Sequence, residues 1–153
     1  MDAWGGFALA AFASALLLGA GLAHIHRRKT MRSFAMRMGF TFIGDTLPPS
    51  FIPSGYPLEG ITAVWNAMDG EVKGLGVLVF DCRIGKGKGS WQRTIVAAKS
   101  QHAVFNSIDG NYGLELGRVG DWTILYRPKE LTFFSGGLMP IPELKARISS
   151  IST

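Results

Sequence analysis

Residues 61–99 read ITAVWNAMDGEVKGLGVLVFDCRIGKGKGSWQRTIVAAK, and they decide the fold. Two apolar, β-prone runs, Ile61–Met68 and Val72–Ile84, flank Asp69-Gly70. That dipeptide between apolar runs is a strong hairpin signal, because both turn positions must tolerate a positive φ. A two-residue turn there sets Trp65 opposite Gly74, an aromatic ring covering a bare glycine. Along the second strand Leu78, Phe80, Cys82 and Ile84 share one face, while Leu75, Val77, Val79, Asp81 and Arg83 share the other. Cys82 therefore reads as a small core residue rather than a reactive thiol. Asp81 and Arg83 read as an exposed pair of little energetic weight. A third strand, Trp91–Lys99, returns after the loop Gly85-Lys86-Gly87-Lys88-Gly89-Ser90.

Outward from this sheet the pattern continues. Asp109-Gly110 and Gly120-Asp121 mark turns, and Leu114–Arg118 and Trp122–Arg127 read as strands, with Trp122, Ile124 and Tyr126 buried and Pro128 as the stop. Pro142 opens a short amphipathic helix carrying Leu144, Ile148 and Ile151. On the other side, prolines and glycines between 44 and 60 exclude regular structure. Leu47, Phe51, Ile52, Tyr56 and Leu58 are nonetheless too apolar for a solvated linker, which predicts an ordered covering loop over a proline-rich docking peptide. The fold class is α+β: a mostly antiparallel sheet of about five or six strands with a helix at each end.

The N-terminal helix is of another kind. Ala3–Ala23 runs 21 residues without a charge before His24, Ile25, His26, Arg27, Arg28 and Lys29. At about 1.5 Å per residue it covers roughly 31 Å, near the hydrocarbon thickness of a bilayer. This predicts a transmembrane anchor over 1–26, a basic juxtamembrane helix over 27–39 and a cytoplasmic α+β domain over 40–153. The chain would sit in the inner membrane, N-terminus outside, with Arg27, Arg28, Lys29 and Arg32 flanking the span on the cytoplasmic side. A cleavable signal peptide, with Gly21 and Ala23 as its small residues, lacks the basic start such peptides carry. A buried soluble helix would show a polar face. Ala11, Ala15 and Gly19 recur every four residues and offer a face for self-association. His24 and His26 point to different sides of a helix, which suits interfacial anchoring rather than a shared metal. Met31, Phe34, Ala35 and Met38 form a stripe for the lipid surface or for the domain, and Gly39 suits a C-terminal cap.

Several of these residues carry a resemblance. The run Trp65-Asn66-Ala67-Met68-Asp69-Gly70, then Gly74, Val79-Phe80-Asp81, the 85–90 tip and Tyr126-Arg127-Pro128 resembles a group of uncharacterised bacterial membrane-anchored proteins. The resemblance covers about residues 1–150 and implies a single span followed by a small α+β domain. No activity is attached to that group.

Charge distribution narrows the function. Residues 1–39 hold five basic side chains against Asp2, whereas residues 40–153 hold 11 basic and 10 acidic ones. The basic excess lies beside the predicted span, so the folded part lacks the footprint of a nucleic-acid binder. Catalytic and metal-binding constellations are missing from the sequence pattern. His102 is the single histidine after residue 26, a Cys82–His102 pair has no third member to orient it, and most aspartates fall at turns. No cofactor is implied. The expected role is a non-catalytic domain that binds a protein partner or the lipid surface, with Lys86, Lys88 and Trp91 as candidate anion or lipid contacts. The alternative is an anion- or nucleotide-binding domain using the 85–90 tip. That loop lacks P-loop spacing and joins two strands instead of opening a helix.

Overall fold

The computed structural model describes residues 3–100, 104–105, 113–128 and 137–152; among these, the side chains at 3–8, 10, 16, 17 and 104 are outside the description. One helix, α1 (Ala3–Met38), leads into β1 (Thr41–Gly44), β2 (Ile61–Val72), β3 (Leu75–Ile84) and, after a single 3-10 turn at Gly87–Gly89, β4 (Trp91–Ala98). β5 (Val104–Phe105), β6 (Glu115–Val119), β7 (Trp122–Tyr126), α2 (Ile141–Ser149) and β8 (Ile151–Ser152) follow. Six strands form one antiparallel sheet in the order β1-β2-β3-β4-β7-β6, and β5 pairs with β8. The expected α+β class, antiparallel sheet and C-terminal helix are all present.

The β2–β3 turn differs from the sequence expectation. Val72 pairs with Leu75, so the turn is Lys73-Gly74, both at positive φ (51° and 81°), and Asp69 and Gly70 lie within β2. Trp65 consequently faces Asp81 rather than Gly74. Packing overrides the turn signal. A Cβ on Gly70 would lie 2.3 Å from the Phe40 ring, so that glycine is the bare patch on which Phe40 rests. A bulge between Trp65 and Met68, with Asn66 at φ 55°, then shifts the register by one residue.

Both faces of the sheet are covered. Val77, Val79, Val96, Ala98 and Leu125 pack against Met31, Phe34 and Ala35 of α1 and Leu144 and Ile148 of α2. Leu78, Phe80, Cys82, Ile84, Ile95, Ile124 and Tyr126 form the opposite core, which Phe51 and Leu58 of the 45–60 loop cover. Phe51 meets Phe80 and Trp122 edge-on. The expected covering loop is therefore real, although Ile52 and Tyr56 stand exposed on it. Ile151 is buried as expected, but on β8 rather than on the helix.

α1 does two different things along its length. Its end packs on the domain, as the Met31–Phe34–Ala35 stripe allows, and closes with a Schellman cap. The Phe40 N–H donates to the Ala35 carbonyl at 2.8 Å, and Gly39 takes φ 72°. Toward the N-terminus, Leu9, Phe12, Leu18, Leu22 and Ile25 are exposed. Among the described residues no helix is long and apolar enough to cross a membrane, which departs from the expected span. The run is rich in alanine and glycine, which are only weakly apolar, and positions 3–8, 10, 16 and 17 lie outside the described side chains. His102 and Asp109-Gly110 also lie outside the described residues.

Candidate functional site

The densest polar constellation is buried between α1 and the sheet, around Asp81. β3 alternation aims Asp81 at the α1 face, where it is fully buried. Arg27 reaches it from α1, with Nε donating to Oδ2 at 2.8 Å and Nη2 to Oδ1 at 2.9 Å. Thr94 on β4 donates its hydroxyl to Oδ1 at 2.7 Å, and Asn66 donates Nδ2 to Oδ2 at 2.9 Å. Arg27 also donates to the Met139 carbonyl at 3.0 Å, and the Met139 N–H donates to Thr94 Oγ1 at 2.8 Å. α1, β2 at its bulge and β4 thus meet on the β3 carboxylate, and the stretch before α2 joins them through Arg27 and Thr94.

This arrangement ties α1 to the sheet. A carboxylate offers about four lone-pair sites, and here four donors occupy them. The polar atom left over is Asn66 Oδ1, buried without a hydrogen-bond partner among the described residues. The bulge and the positive φ at Asn66 aim its amide nitrogen at Asp81.

The expected Asp81–Arg83 surface pair does not form. Arg83 is exposed, while Asp81 takes Arg27, 54 residues away in sequence. Arg27, expected to flank a span, is thus turned into the domain. Arg28 pairs with Asp45 at 3.0 Å on the surface. Lys29 and Arg32 stay exposed. Asn66, Thr94 and the Met139 backbone escaped the sequence reading. The available signal was an aspartate at an inward position of an apolar strand, which demands a partner.

On the opposite face Arg93 is buried, its guanidinium 5.0 Å from the Tyr126 ring centroid and 5.6 Å from that of Trp91. No carboxylate pairs with it among the described residues. Burial lowers its pKa, with neighbouring Cys82, Tyr126, Tyr56 and Glu115 opposing. Burial likewise pushes the Cys82 thiol up to about 12, which makes it inert as a nucleophile at neutral pH. The Tyr126 hydroxyl donates to Glu115 Oε2 at 2.9 Å, and burial together with the Tyr56 and Glu115 hydrogen bonds raises its pKa. Trp91 lies against Arg93 at the edge of this core, its ring beside Gly85 at the base of the tip. Lys86 and Lys88 are exposed on either side of Gly87.

A cleft of about 340 Å³ opens between the helices, lined by Phe34, Arg37, Met38, Ile141, Pro142 and Lys145. Among the described residues no three His, Cys, Asp or Glu side chains converge to hold a metal. On the N-terminal half of α1, Ala11, Ala15 and Gly19 are exposed, and a Cβ at Gly19 would meet nothing within 4 Å. Compared with known protein families, curated proteins and solved structures, the chain matches none.

Proposed function

We propose that this chain is a membrane-associated, non-catalytic domain, held at the bilayer by the N-terminal half of α1. One observation carries the reading. Leu9, Phe12, Leu18, Leu22 and Ile25 stand exposed on a helix whose other half is built into the domain core. Apolar side chains in that density are covered by lipid or by another protein. The charge asymmetry favours lipid, with Asp2 before the run and Arg27, Arg28, Lys29, Arg32 and Arg37 after it. Topology is set during insertion, before the domain folds, so the later burial of Arg27 does not weaken that signal. The domain then sits on the cytoplasmic side of an inner membrane, where its surface is available to a protein partner.

Flotation of the full chain with phospholipid vesicles tests the anchor, and reporter fusions after Lys29 and at Thr153 test its direction. Co-flotation that survives high salt and alkaline carbonate, with cytoplasmic signals from both fusions, is expected. A chain that stays at the bottom of the gradient, or an exported Thr153 fusion, would overturn this assignment.

A further inference from the structure

We infer that the Gly85–Ser90 tip is a second membrane contact, docking on anionic phospholipid headgroups beside the apolar half of α1. This rests on the membrane reading above and adds the surface with which the domain itself meets the lipid.

Contacts between α1 and the sheet establish the direction. Phe40 lies over Gly70, which pairs with Val77; Arg27 holds Asp81; His24 lies 6.1 Å from Trp65, which pairs with Asp81. Moving toward the N-terminus of α1 therefore means moving toward the C-terminus of β3. β3 continues past Asp81 to Ile84 and then enters the tip. The tip accordingly stands at the end of the domain toward which the apolar half of α1 projects.

The chemistry of that end is basic. Arg83, Lys86 and Lys88 are exposed there, against Glu59 beside Gly60, whose carbonyl accepts from the Gly85 N–H at 2.9 Å. None of these three cations takes part in an ion pair among the described residues. A Cβ at Gly87 or Gly89 would meet nothing within 4 Å, so the tip stands clear of the domain. Flexible, unpaired ammonium groups suit a headgroup layer better than a hydrocarbon core. The saturated Arg27–Asp81 clamp makes helix and sheet one rigid piece, so an inserted helix brings the tip to the interface without a further ordering cost.

Gly89→Cys provides the probe. Open space surrounds the position, and the buried Cys82 thiol leaves the new cysteine as the reactive one. The full chain, labelled there with an environment-sensitive fluorophore, is mixed with phosphatidylcholine vesicles, with or without phosphatidylglycerol. A blue shift and loss of quenching by acrylamide are expected on the anionic vesicles. Lys86→Glu with Lys88→Glu should abolish both signals while the chain still floats, each lysine favouring contact about fivefold. A chain that floats but keeps its label fully quenchable on anionic vesicles overturns the tip contact and spares the anchor. Failure to float removes both. An equal response to inorganic phosphate or ATP without vesicles would also overturn it and point to a soluble anion.

Discussion

Asp81 and Arg93 sit on adjacent strands, on opposite faces, and illustrate two different fates of a buried charge. Asp81 accepts four hydrogen bonds, two of them from one bidentate arginine. Removing the carboxylate takes the counter-charge from the part-buried Arg27 guanidinium, which keeps only the Met139 carbonyl and Thr94, and leaves the buried Asn66 amide nitrogen without its acceptor. Asp81→Ala should therefore cost about 3–5 kcal/mol in chemical denaturation. The double change Arg27→Met with Asp81→Leu should recover most of that loss, since neither charge is then left alone. Arg93 has aromatic neighbours but no ion pair among the described residues, and burial already works against its charge. Arg93→Met should alter stability by no more than about 1 kcal/mol, as the lost cation–π contacts offset the relieved desolvation. A large loss at Arg93 together with a small one at Asp81 would reverse this assignment of roles.

At the scale of elements, the β2–β3 hairpin shows why a local signal can be overruled. Asp69-Gly70 and Lys73-Gly74 both supply turn residues, and a local rule ranks the first higher. Choosing the second keeps Asp69–Val72 in the strand and lets Phe40 settle over Gly70 while Val77 and Val79 face α1. The two glycines should respond differently to substitution. Gly70→Asn should cost about 1–3 kcal/mol by evicting the Phe40 ring. Gly74→Asn, at a φ of 81° with open space around it, should be tolerated within about 0.5 kcal/mol. Thermal melts of the two variants decide between the hairpins, because a turn at Asp69-Gly70 predicts the opposite ranking.

At the scale of the whole molecule, α1 joins a core element to an exposed apolar rod without a break. Contacts with the domain run through His24, Arg27, Met31, Phe34 and Ala35. Removing residues 1–22 should leave a cooperative domain whose melting temperature is close to that of the full chain and which no longer floats with vesicles. Extending the deletion through Ala35 removes the Asp81 partner and one wall of a core, and circular dichroism should then show no cooperative transition. An unfolded 1–22 deletion would mean that the exposed half of α1 contributes to the fold.

Much was legible in residue order because it follows from period and punctuation. Alternation in β3 placed Cys82 and Phe80 on one core face, Gly39 ended α1, and the apolar residues of the 45–60 segment marked a covering loop. These are short-range consequences of side-chain direction and backbone freedom, carried by neighbours in the chain. The Asp81 clamp was not legible, because its partners come from positions 27, 66 and 94, with 139 bound behind them, and only packing brings them together. The same holds for the turn at Lys73-Gly74, which is selected by a ring from Phe40 rather than by its own two residues. The tip's position is likewise a tertiary result. Sequence supplies the charges of Lys86 and Lys88, but the running of β3 against α1 determines which end of the molecule carries them.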